Sequence, residues 1–298
     1  MAINSKPQSL EKDFGVVCFA YVLALIVAVA VGYAVRALHP LLVVFISDIA
    51  ATLVIYIFGR VFRNASFYDP YWSVAPLAIA LYWLIKASAG SPVTAIQVIV
   101  AVLVYAWGER LTYNWARGWH GLKHEDWRYQ DYRKKFRRIF WLIDLIGIEI
   151  MPTIIVFLAC LSLYPALSAG HRPFGALDVV AVIVTAGAIT IETIADRQLK
   201  NFSRQPHRPG EIMTGGLWAY SRHPNYFGEI TFWWGLYFFG VAAGPGYWWT
   251  IAGPVTVTIL FITVSVPLME TRSLARRPGY AEIRKKIPVL FPWFPGTR

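Results

Sequence analysis

Glu192, Asp196 and Lys200 stand four residues apart at the end of an apolar run. On a helix they lie one above another on a single face. At that depth two carboxylates and an ammonium need a bundle interior or a ligand, unless they pair among themselves as a snorkelling helix end. A second set follows in "SRHPNYFGE", residues 221–229. Pro224 suits a first helical turn, where its missing N–H costs nothing, and the amides of that turn attract anions, helped by Arg222 and His223. Asn225 both donates and accepts, whereas Glu229, one turn on, only accepts when ionised; together they suit sugar hydroxyls or a neutral amide. Tyr226 and Trp233 are placed either to stack on a ring or to serve as interfacial aromatics.

Two further groups could do chemistry. "METRSLARRPGYAEIRKKIPVLFPWFP", 269–295, carries Glu270, Arg272, Arg276, Arg277, Tyr280 and Arg284 before closing on prolines and aromatics. A polybasic tail on anionic lipid would share the charge but not this closing lid, so the stretch reads as cofactor contacts. "FYDPYWSVAP", 67–76, sets Asp69 and Tyr71 at the start of a span, and Tyr105 lies within the next. A carboxyl beside a phenol positions a proton donor and stabilises the charge that develops on it. Cys18 and Cys160 fall in separate apolar runs as small hydrophobes. With no zinc spacing, phosphate loop or GxSxG elbow, no metal site is expected.

These residues must be carried by membrane helices. The chain of 298 residues is 57% hydrophobic and 16% aromatic, which calls for lipid as solvent. Apolar stretches of about 15 to 25 residues lie near 14–35, 41–59, 72–87, 93–116, 139–168, 174–195, 225–243 and 247–268, against roughly 20 needed to cross. The expectation is an all-α, polytopic transmembrane helical bundle of about 7 or 8 spans, the third short enough to re-enter and the fifth long enough to tilt or break at Pro152. No cleaved presequence is expected, because the first run is long enough to span. Lys and Arg crowd the connections after the second, fourth, sixth and eighth stretches, which places both termini in the cytoplasm. The net charge of +11 is explained by topology and membrane lipids, with no nucleic-acid partner.

The motifs "DPYWSVAP", "GWHGLKHEDWRY", "ADRQLKNF", "GGLWAYSRHPNYFGE" and "RRPGYAEIRKKIPVLFPWFP", in this order, resemble the steroid 5-alpha-reductase C-terminal-domain superfamily, most closely its bacterial membrane branch. The resemblance covers roughly 65–295 and separates N-terminal spans, 1–64, from a reductase-like membrane domain with cytoplasmic cofactor-binding loops, 65–298. It implies an NADPH-dependent oxidoreductase that adds hydride and a proton across a carbon–carbon double bond of a lipophilic enone or sterol-like substrate entering from the bilayer. Carried over by position, it assigns cofactor binding to Glu192, Asp196 and Lys200, to Asn225 and Glu229 with Arg222, His223 and Tyr226 beside them, and to Glu270, Arg272, Arg277 and Tyr280. It matches the catalytic tyrosine to Tyr105. The superfamily's Gln-Glu pair is replaced here by Asp69 and Pro70, which leaves Asp69 as the nearest acid and Tyr71 as a substitute phenol. It also implies a bacterial inner membrane with the cofactor site facing the cytoplasm. The same "RHPxYxGE" pattern recurs in membrane methyltransferases that use S-adenosylmethionine, the alternative function; those carry a Glu-Glu pair in the tail, whereas Glu270 is followed by Thr271.

Overall fold

The computed structural model describes residues 6–90, 92–168, 172–206, 208 and 210–294, with the side chains of 6–9 excepted. Pro209 of the "RPGE" turn and Pro295 of the tail lie outside the described residues. The described chain is helical with no strand: α1 Lys6–Ala34, α2 Pro40–Phe62, α3 Tyr71–Ser88, α4 Ala95–Gly118, α5 Trp127–Phe136, α6 Phe140–Ile143, α7 Met151–Ala159, α8 Leu163–Ser168, α9 Ala176–Arg204, α10 Pro224–Ala243, α11 Ala252–Leu260, α12 Val266–Arg276 and α13 Tyr280–Lys286. Six helical stretches among the described residues are long and apolar enough to cross a bilayer: Leu10–Ala34, Pro40–Phe62, Ala95–Gly118, Trp127–Ser168, Ala176–Arg204 and Pro245–Arg276. The protein is therefore an integral membrane protein. α3 and α10, counted among the spans expected from sequence, fall outside these six, because Trp, Tyr and polar residues dilute their apolar content.

Two compact units divide the chain, one of Met1–Ile85 with Val104–Cys160, the other of Lys86–Leu103 with Leu161–Arg298. The division at 64/65 rests on resemblance and this one on packing, so neither bears on the other.

In the first unit α1 packs along α2, while its other side, with Phe19, Val22, Ile26 and Val29, is exposed and suits lipid. His39 caps α2 by accepting from the Leu41 amide at 3.3 Å, with Pro40 in the first turn. The long helical run does not break at Pro152. Its turns widen into a π-helix over Asp144–Ile150, where the Met151 N–H reaches back five residues to the Ile146 carbonyl. Proline has no N–H to donate to the carbonyl one turn back, and the widened turn absorbs that missing bond.

In the second unit α9 and α10 form the main seam. The buried stripe of α9 is Asp178, Ala181, Thr185, Ala188, Glu192 and Ala195, at helical spacing. Small residues let the backbones close: a Cβ on Gly228 would stand 2.9 Å from the Ala188 carbonyl oxygen, and one on Gly235 would collide with Thr185.

Candidate functional site

The second unit builds its site from the end of α9, the entry to α10 and the tail. After α9 the chain turns through Gly216, whose φ of 61° favours glycine. Gln198 then accepts the Leu217 amide at 3.0 Å, and the Trp218 ring N–H donates to the Ala195 carbonyl at 3.1 Å. The tail is tied alongside: the Arg222 amide donates to Pro288 O at 2.9 Å, the Ser221 hydroxyl to Leu290 O at 2.8 Å, and the Trp293 amide to Tyr220 O at 3.0 Å.

Glu270 joins these pieces. Its Oε1 accepts from Arg222 Nε at 3.0 Å and from the Tyr280 hydroxyl at 2.6 Å, and lies 3.0 Å from His223 Nε2. Its Oε2 pairs with Arg284 Nε at 2.9 Å. Burial holds the His223 imidazole below its ordinary value, with Glu270 opposing and Arg222 reinforcing the shift. Burial, and then Glu270, push the Tyr280 phenol up. His223 also stacks on Tyr226, centroids 5.2 Å apart and planes 9° apart.

Beside this hub is a cavity of about 210 Å³. Seven of the residues expected to bind cofactor are on its wall: Arg222, His223, Asn225, Tyr226, Arg272, Arg277 and Tyr280. Arg276 joins them, and Leu199, Met213, Trp218 and Met269 supply apolar surface. Helix first turns carry N–H groups without an intrahelical acceptor, so the start of α10 and the arginines Arg272, Arg276 and Arg277 line one space, a donor set suited to phosphate oxygens, while the Arg222 guanidinium is held by Glu270 and by the Arg284 and Ile287 carbonyls.

The remaining candidates sit elsewhere. Glu192 is buried in the α9–α10 seam, against Gly228. Asp196 and Lys200 are half-buried and off the cavity wall. Glu229 is buried and accepts from the Trp233 ring N–H at 2.9 Å, one turn along the same helix. Trp233 is only 1% exposed, so of the two roles the sequence left open, ring stacking or interfacial aromatic, its burial suits neither. Glu270 serves the site by holding four wall and tail side chains rather than by lining the cavity.

In the first unit the expected acid and phenols do not meet. Asp69 Oδ1 accepts from the Tyr129 hydroxyl at 2.8 Å, and burial raises its carboxyl to about 6, with Arg128 and Tyr129 opposing. Tyr71 donates to Asp48 Oδ1 at 2.6 Å. Tyr105 donates to the Leu77 backbone carbonyl at 3.3 Å. The acid–phenol idea is thus realised twice with partners that sequence reasoning missed, Asp48 and Tyr129. Asp48 did leave a signal, being a lone acid inside the apolar "VVFISDIAATL".

The chain is similar to an uncharacterized protein, C594.04c, of Schizosaccharomyces pombe (strain 972), at 27% identity over 257 residues, covering 79% of this chain and 74% of that protein. No solved structure matches. Residues 55–287 match the family described as "Protein of unknown function (DUF1295)". That match takes in the Asp69–Tyr129 pair, Tyr71 without its partner Asp48, and the wall of the arginine-lined cavity, and the chain belongs to the DUF1295 family.

Proposed function

We propose that this protein is a membrane-embedded, NADPH-dependent reductase of a carbon–carbon double bond in a lipophilic enone or sterol-like substrate, related to the steroid 5-alpha-reductase superfamily. The observation that carries the reading is the convergence of Arg272, Arg276 and Arg277 on one cavity at the start of α10. Such a donor set favours a ligand with several phosphate charges. At about 210 Å³ the cavity is smaller than the roughly 300–1,000 Å³ that encloses whole drug-sized ligands, so it suits the phosphate-bearing part of a dinucleotide.

NADPH would supply a hydride. In the second unit the chain's own part is to hold phosphates with Arg272, Arg276 and Arg277 and to meet ribose or amide groups with Asn225; in the first unit Tyr71, set by Asp48, is a phenol able to donate a proton. Glu270 is a positioning residue, since it orients Arg222 and His223. In the same reading both termini and the cavity face the cytoplasm of a bacterial inner membrane, the spans number 7 or 8, and the substrate arrives from the bilayer.

Methyl transfer from S-adenosylmethionine is the second reading, carried by "RHPNYFGE". Against it, the guanidiniums of Arg272, Arg276 and Arg277 on the cavity wall would repel a sulfonium. Calorimetric titration of the purified protein with NADPH, and separately with S-adenosylmethionine, tests the choice. Saturable NADPH binding that weakens in Arg277→Ala is expected; binding of S-adenosylmethionine alone would overturn the reductase reading.

A further inference from the structure

The junction of α5 with α6, in the first unit, carries cations that nothing in the described chain neutralises. Lys134, Lys135, Arg137 and Arg138 are exposed, and among the described residues none of them lies within ion-pair distance of a carboxylate. The nearby acids are already committed: Glu125 takes Arg133 at 2.6 Å, and Asp126 takes Arg128 at 2.7 Å. Asp131, about one turn before Lys134 and Lys135, pairs with neither. Like charges held this close repel one another unless an anion comes between them.

The backbone gathers these side chains with one more. α5 ends at Phe136, and Arg137 turns the chain with a φ of 38°, which residues with a side chain seldom adopt. Arg63, the left-handed cap of α2, does the same with a φ of 53°. Two links lay the end of α2 antiparallel against this junction: Arg133 Nη2 donates to Arg63 O at 3.3 Å, and the Tyr56 hydroxyl donates to Trp141 O at 3.1 Å. Arg63 is exposed and has no acidic partner among the described residues, so it stands beside α5 as a fifth cation.

The neighbouring apolar surface says what meets them. Ile139 is 52% and Trp141 49% exposed, and Leu142, Val61 and Phe62 are exposed beside them. These side chains belong to stretches long and apolar enough to cross a bilayer, Trp127–Ser168 and Pro40–Phe62. An exposed Trp at the start of a span marks the membrane–water boundary. The four cations of the junction precede Trp141 by three to seven residues, which sets them at headgroup level. The anions at hand there are lipid phosphates, which guanidinium groups take through paired oxygens and ammonium groups as point charges. A zwitterionic headgroup brings its own cation, whereas an anionic one leaves its charge to the protein.

We propose that the α5–α6 junction and the end of α2 form a docking surface for the headgroups of anionic phospholipids of the surrounding bilayer, contacted by Lys134, Lys135, Arg137, Arg138 and Arg63. Glu125 accepts the Ala65 amide at 2.9 Å and Tyr129 of α5 donates to Asp69 at 2.8 Å. Headgroups seated on α5 therefore also steady the α2–α3 connection. This site is independent of the reductase reading.

Electron spin resonance of the purified full chain in phosphatidylcholine nanodiscs, with a trace of spin-labelled phosphatidylglycerol or spin-labelled phosphatidylcholine, reads which lipid the protein holds. Labelled phosphatidylglycerol is expected to be preferred about fivefold or more, the worth of a single basic residue near an anionic surface, and the preference should shrink as salt is raised. Lys134→Gln with Lys135→Gln, and separately Arg137→Gln with Arg138→Gln, should each remove much of it. Arg36→Gln, which alters an exposed cation away from the junction, should keep it. Each double variant decides the matter alone if the other folds poorly. No preference in the parent overturns the proposal, and so does a preference that the double variants retain in full. Capture of a short DNA duplex by the parent discs without any lipid preference would give the patch to nucleic acid and overturn it as well.

Discussion

Tyr280 donates its hydroxyl to Glu270 Oε1 at 2.6 Å, the same oxygen that receives Arg222 Nε at 3.0 Å. One carboxylate on α12 therefore links the entry to α10 with the C-terminal tail, and the wall of the arginine-lined cavity depends on it.

Glu270→Ala leaves Arg222 buried without its anion and frees Tyr280 and Arg284. Breaking a buried ion pair from one side costs about 3 to 5 kcal/mol, and the exposure of Arg284 argues for the lower part of that range. A lower Tm in detergent is expected, together with faster tryptic cleavage after Arg276. A tail as protected as in the parent would refute the tether.

Asp69 provides a pH signature. Burial lifts its carboxyl to about 6 from 3.8, so the folded chain binds this proton more tightly than the unfolded chain. The resulting stability is complete below about pH 4 and is lost as pH rises through 6. Asp69→Asn should therefore gain stability over the parent above pH 6 and match it near pH 4, measured by thermal melts across that window.

His223 has the opposite dependence. Its imidazole is held below 6.5 by burial, so the unfolded chain takes up the proton first. Stability from this group is present above about pH 6.5 and falls as pH drops below it. His223→Gln should flatten that decline in the same melts.

Gly228→Val tests the α9–α10 seam. The first added carbon would already stand 2.7 Å from Glu192 Cβ and 2.9 Å from the Ala188 carbonyl oxygen. Overpacking of this kind costs about 1 to 3 kcal/mol. Substitution at Gly187, where nothing stands within 4 Å of an added Cβ, serves as the control and should leave Tm nearly unchanged.

Arg272→Ala and Arg277→Ala should each weaken NADPH about tenfold or more, since hydrogen bonds to charged groups contribute roughly 1.5 to 3 kcal/mol. Raising the salt concentration should weaken parent binding in the same direction. Titration calorimetry checks both.

Much of the architecture was legible in the residues. Long apolar runs declare membrane helices whatever their partners, because the burial of backbone polar groups in lipid leaves few alternatives. "SRHPNYFGE" likewise declared a helix entry, and Pro224 does occupy the first turn of α10. The face of Glu192, Asp196 and Lys200 was harder: equal spacing placed them on one side of α9, but only the approach of Gly228 shows that Glu192 is buried in a helix seam. Pro152 signalled a local irregularity, though not that the run would widen instead of break.

By itself the sequence determined the all-helical membrane class, the position of the cationic helix entry and the residue types available for proton transfer, because apolar length, charge and turn chemistry act locally along the chain. Only the tertiary structure decided which groups meet. Tyr71 finds its acid 23 residues away in Asp48, and Asp69 finds its phenol 60 residues away in Tyr129. No periodicity encodes such pairs; they follow from how packed helices bring buried polar groups within hydrogen-bonding distance, where each must find a partner or keep its proton.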